Sequence, residues 1–210
     1  MAGLASVAGA LACALPAFAH QPQNVDGQTR IEVASPEISK AYYGTLTGQP
    51  VTYHIHASAP FAFYVNTLVP KLPDAKTDLT VDIRKDGVLF TRLDPANKPW
   101  TVFYEPFGGD TYLMGPEYRA QAPAGEYDLT VSQPGNQGTY VLAIGETEAF
   151  SFTEIVRTMI VLPEIKRVYF RDSLFDSYGP RTVLPIAGVV LALGGVVLLV
   201  FCIVRKLRRA

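Results

Sequence analysis

Cysteine is almost missing from this 210-residue chain: Cys13 stands near the start, Cys202 near the end, and none lies between them. No disulfide can brace the long middle stretch, so its fold must rest on a buried core, which a segment of this length can supply. A dominant charge is missing too. The formal net charge is -1, which argues against the strong field of a nucleic-acid surface or of a site for a highly charged partner. Catalytic signatures are also absent: no serine sits in an elbow motif, no glycine-rich phosphate loop precedes a helix, and no thiol lies outside the two terminal segments. These absences lead to the expectation that the chain is not an enzyme.

Alternation of apolar and polar residues is what the middle of the chain does have. Val51, Tyr53 and Ile55 alternate with Thr52, His54 and His56; Leu79, Val81 and Ile83 with Thr80, Asp82 and Arg84; Tyr127, Leu129 and Val131 with Asp128, Thr130 and Ser132. A period of two sets one row against a core and the other toward water, which is the pattern of half-buried strands. Turn signals separate these runs at Gly48-Gln49-Pro50, Lys85-Asp86-Gly87, Asp94-Pro95, Ala124-Gly125 and Pro134-Gly135-Asn136. Phe61 to Val65 is apolar at every position, as in a central strand. Residues 20–148 therefore predict a mainly β unit, an antiparallel β-sandwich of the jelly-roll or immunoglobulin-like sort.

The run Ala124 to Val131, followed by Asn136 to Gly145, resembles the closing hairpin of bacterial pre-peptidase C-terminal domains: an alanine-glycine turn, a tyrosine-bearing strand, then a glycine-tyrosine strand. Gly44-Thr45-Leu46 and Tyr53-His54-Ile55 are similar to that family's opening strands, so the likeness covers Tyr43 to Gly145. It implies a β-sandwich. Members are accessory domains of secreted proteases and some bind calcium, but a protease domain is not found in this chain.

The ends carry other patterns. Residues 1–19 are apolar and finish in Ala17-Phe18-Ala19, the small-x-small pattern of a signal peptide, so His20 is expected to begin the mature chain. Ser151-Phe152-Thr153-Glu154 has capping-box spacing, and Phe152, Ile155, Val156, Met159 and Ile160 follow at helical intervals. Residues 149–175 thus predict a juxtamembrane amphipathic helix, interrupted at Pro163. It either lies in the membrane interface, with Arg157, Lys166, Arg167 and Arg171 toward headgroups, or packs on the sandwich. A linker, 176–182, leads to the apolar run 183–204, long enough for one transmembrane helix, and the basic tail 205–210 would stay in the cytoplasm. Gly188, Ala192 and Gly195 share one face of that span and would let another helix approach. The expected topology is single-pass in a cell membrane, with the N-terminal domain outside the cytoplasm.

Two residue groups are candidates for chemistry. His54 and His56 share the polar face of one strand, and His20 would add an amino nitrogen and an imidazole, a ligand set suited to copper. The arrangement resembles the copper-binding β-domain of particulate methane monooxygenase in these three residues. The stretch Phe103 to Tyr118 mixes aromatics with acids; Tyr104, Glu105, Asp110, Tyr112 and Glu117 could stack a sugar and bond its hydroxyls, or hold calcium. Alternatively, Phe103, Phe107, Tyr112 and Met114 close one end of the sandwich and leave the acids in water. The leading expectation is a non-catalytic, membrane-anchored binding or assembly module. It would contact the bilayer and a protein partner, or a second copy through the span. The alternatives are a periplasmic copper-binding protein and a carbohydrate- or calcium-binding sandwich.

Overall fold

The computed structural model describes residues 20–105, 108–149 and 151–173, with isolated positions between 187 and 206. Among the described residues, eleven strands form two sheets. The six-stranded sheet runs in the order β1 (Gln21–Asn24), β3 (Lys40–Thr47), β11 (Gln137–Ile144), β5 (Phe61–Pro70), β9 (Asp110–Ala122), β8 (Thr101–Glu105). The five-stranded sheet runs β2 (Arg30–Glu32), β4 (Val51–Ala57), β10 (Gly125–Ser132), β6 (Thr80–Lys85), β7 (Val88–Leu93). Pairing is antiparallel except at one side of the sandwich, where β1 joins β3 and β2 joins β4 in parallel. Those parallel additions use the extended stretch before β3, whose short strands carry too little alternation to be read locally.

Local chemistry explains the hairpins. Asp86 and Gly87 both take positive φ, 50° and 81°, between the paired residues Lys85 and Val88, as a two-residue turn compatible with strand twist requires. Between the sheets, the alternating rows interlock: Tyr53, Ile55, Val81, Ile83, Tyr127, Leu129, Tyr140 and Leu142 are all buried. Buried tyrosines need partners for their hydroxyls, and Tyr53 Oη meets Tyr140 Oη across the core at 2.9 Å. The Tyr140 ring lies over the bare Cα of Gly44 in the paired strand, where a methyl group would stand 2.6 Å from the hydroxyl.

One helix, α1 (Phe152–Tyr169), covers the outer face of the six-stranded sheet. Ser151 caps it by accepting from the Glu154 N–H at 3.2 Å. Ile165 and Tyr169 are fully buried against Tyr43, Leu68, Tyr112 and Val141, which is why β3 and β11 are apolar on both faces. At about 1.5–3 kcal/mol for each large side chain buried, this seat outweighs the cost of Pro163 within the helix.

The membrane reading is corrected here. The segment predicted as juxtamembrane is a helix of the sandwich, with Lys166 turned inward rather than toward headgroups. Its buried stripe is Thr158, Leu162, Ile165, Lys166 and Tyr169, whereas Ile160, expected on the apolar face, is 72 % exposed. Among the described residues no helix is long and apolar enough to cross a membrane. The transmembrane helix, single-pass topology, bilayer contact, cytoplasmic tail and cell-membrane localisation therefore find no support. Most of 183–204 lies outside the described residues, as do Ala192 and the expected signal peptide, 1–19. Gly188 and Gly195 border open space.

Candidate functional site

The expected acidic, aromatic loop is a β-hairpin. Strands β8 and β9 pair so that Glu105 faces Asp110 directly, with Phe103 opposite Tyr112 two residues on. Alternation then sets Phe103, Glu105, Asp110 and Tyr112 on the face covered by α1 and turns Tyr104 to the other face, 55 % exposed. Glu117, farther along β9, pairs with Lys98 at 3.2 Å and accepts from the Tyr64 hydroxyl at 3.3 Å. Three of the five candidate residues are thus brought together, and Tyr104 and Glu117 stand apart from them.

Gly108 is the pivot of the hairpin tip. Its N–H donates to Glu105 Oε2 at 2.5 Å, and its carbonyl accepts from Lys166 Nζ at 2.6 Å. Lys166 also donates to Asp110 Oδ1 at 2.8 Å, a pair whose side chains are 3 % and 7 % exposed. Such a buried pair is sustained by close geometry and by further hydrogen bonds at the charged groups. A Cβ placed on Gly108 would lie 2.8 Å from both Glu105 Oε2 and Asp110 Oδ2. The two carboxylates therefore converge on one point, within twice that distance of each other.

A cavity of about 30 Å³ opens beside this point, walled by His20, Phe103, Glu105, Asp110, Tyr112 and Thr158. This is room for a water or one hydroxyl-sized group. The Tyr43 and Tyr112 hydroxyls, 2.6 Å apart, satisfy each other in the wall; burial pushes both phenols well above their ordinary range. His20 Nδ1 lies 2.5 Å from Ser39 Oγ, and burial lowers the imidazole to about 4, so the ring is neutral at physiological pH. Two carboxylates, one ammonium and a neutral imidazole can together exchange hydrogen bonds with a polar, uncharged group.

The copper reading is corrected by placement. His20 stands at the start of β1 in the six-stranded sheet, whereas His54 and His56 lie on β4 in the other sheet. There His54 pairs with Asp128 at 2.9 Å and Glu126 at 3.1 Å, and His56 with Glu126 at 2.5 Å. Among the described residues no three His, Cys, Asp or Glu side chains form a group that could hold a metal ion.

Lys166, Gly108 and His20 were not assigned to this cavity by sequence. A lysine inside the stripe Thr158, Leu162, Ile165, Tyr169 was the available signal, because a buried ammonium requires an anionic partner.

No family model and no curated protein matches the chain. Among solved structures it is similar to the pre-peptidase C-terminal domain of a collagenase from Bacillus anthracis, at 10 % identity and a TM-score of 0.32 over 60 % of this chain and 95 % of that one. It is also similar to a β-glucosidase from Paenibacillus barengoltzii, at 10 % identity and TM-score 0.27 over 63 % of this chain and 14 % of that one. A third is the catalytic domain of a GH87 α-1,3-glucanase in complex with nigerose, at 16 % identity and TM-score 0.24 over 52 % of this chain and 22 % of that one. The expectation of a membrane-held assembly module is withdrawn, because among the described residues no helix is long and apolar enough to cross a membrane; the expectation that the chain is not an enzyme rested on missing motifs and is withdrawn with it, since Glu105 and Asp110 line one cavity. The resemblance to a pre-peptidase C-terminal-like domain stands, as a weak and distant one.

Proposed function

We propose that the cleft between α1 and the β8–β9 hairpin binds carbohydrate, taking one sugar hydroxyl or hydroxymethyl group into the cavity while the ring stays at its mouth. The observation that carries this reading is that Glu105 and Asp110, directly opposed across the hairpin, both line the cavity together with Phe103 and Tyr112. A hydroxyl in the cavity donates to one carboxylate, and Phe103 and Tyr112 offer apolar walls to the carbon that bears it. The Lys166 ammonium offsets the charge of Asp110 and fixes the hairpin tip, so the acceptors are held in place before the ligand arrives.

Calorimetric titration with a panel of neutral mono- and disaccharides tests this directly. Saturable heats that fall at least tenfold in affinity in Glu105→Gln support it. The absence of binding across the panel, or an unchanged affinity in a folded Glu105→Gln protein, refutes it. Release of reducing sugar is measured in the same samples, because a pair of carboxyl groups beside a bound sugar is also the equipment of glycoside hydrolysis.

A further inference from the structure

The cavity has a wall that the hairpin does not supply. Strand β1 pairs with β3 in the register Gln21 with Lys40, which carries His20 to the edge of the cavity shared with Glu105 and Asp110. The Ser39 hydroxyl, itself buried, lies 2.5 Å from Nδ1. If Ser39 donates to Nδ1, both groups are satisfied and the ring proton resides on Nε2. The residues that line the cavity then include two carboxylates, which only accept, and an imidazole whose remaining N–H only donates.

That combination discriminates by chemistry. A hydroxyl group donates and accepts at once, so it can bond a carboxylate through its proton and receive the imidazole N–H on its oxygen. An ammonium has no lone pair for the imidazole and would compete with Lys166 for Asp110. A carboxylate would face Glu105 and Asp110 at close range, with like charges opposed.

We propose that His20 is a ligand-contacting residue of this site and that it selects an uncharged sugar hydroxyl over an amino sugar or a sugar acid. The inference rests on the carbohydrate reading above and adds to it a residue and a specificity.

The chain has three histidines, and two of them, His54 and His56, lie on the other sheet, so they serve as internal references. Ring proton resonances of the full chain, assigned with His54→Gln and His56→Gln, are followed during addition of D-glucose, D-glucosamine and D-glucuronate. The expected result is that glucose shifts the His20 resonance in step with calorimetric binding and leaves His54 and His56 unmoved. Glucosamine and glucuronate are expected to bind at least tenfold more weakly. Glucose binding with a stationary His20 resonance overturns the role of His20 while leaving the carboxylate site intact. Equal affinities for the three sugars overturn the selectivity. Binding of none of the three, nor of any sugar in the wider panel, overturns the carbohydrate reading and this inference with it.

Discussion

Replacing Lys166 with methionine keeps most of the apolar stem of the side chain, one atom shorter, and removes its charge. In the folded protein Asp110, 7 % exposed, then loses its ion pair with Lys166, and the Gly108 carbonyl loses that donor. Breaking a buried ion pair from one side costs about 3–5 kcal/mol, most of it the burden of the charge left behind. Against a typical total of about 5–15 kcal/mol, the loss is large but leaves the core in place, because Ile165 and Tyr169 still seat the helix. Asp110→Asn is expected to cost about 3 kcal/mol for the converse reason. The double variant removes both charges and should lose only about 1–2 kcal/mol, giving a coupling of several kcal/mol between the positions. Urea denaturation followed by circular dichroism, with all four proteins at one pH, measures this cycle. Additive losses, or a Lys166→Met protein within about 1 kcal/mol of the parent, would refute the buried pair as the tie between helix and hairpin.

Gly108→Ala should weaken sugar binding, since its methyl group would stand 2.8 Å from both carboxylate oxygens and push them from their places in the cavity wall; the check is calorimetry on protein whose circular dichroism is unchanged. Acid should weaken the fold through His20. Its pKa is lowered from 6.5 to about 4, so the unfolded chain binds more protons between those values. Stability is full above about pH 6.5 and falls as pH drops toward 4, by at most about 3 kcal/mol, and His20→Gln should flatten that part of the profile. Gly44→Ala should cost about 1–3 kcal/mol, because its Cβ would stand 2.6 to 2.9 Å from the Tyr140 ring. Thermal melts should show Tyr140→Leu relieving part of that loss.

What was legible in the sequence was local. Alternation at Val51 to Ile55, Thr80 to Ile83 and Tyr127 to Val131 corresponds to β4, β6 and β10, and Asp86-Gly87 to a hairpin turn, because side-chain period and turn chemistry are set by near neighbours. The β-sandwich followed from them. The side of α1 that is buried did not follow, since Val156, Met159 and Ile160 offered a competing apolar stripe and only the sheet decides between them. Hydropathy of 183–204 is likewise a property of that segment alone, and the described helices do not bear out a span. Glu105, Asp110 and Tyr112 were recognisable as a group because they belong to one hairpin. His20 and Lys166 reach the same place through β1 and α1, which lie far from the hairpin in the chain, and no short-range pattern encodes that meeting.

The most direct test is a crystal structure of the protein grown with a saturating neutral sugar that calorimetry has shown to bind. The account predicts a hydroxyl oxygen of the sugar within hydrogen-bonding distance of both Glu105 and Asp110, with the ring outside the cavity. Sugar bound on another surface while the cavity lined by Glu105 and Asp110 holds only solvent would contradict it.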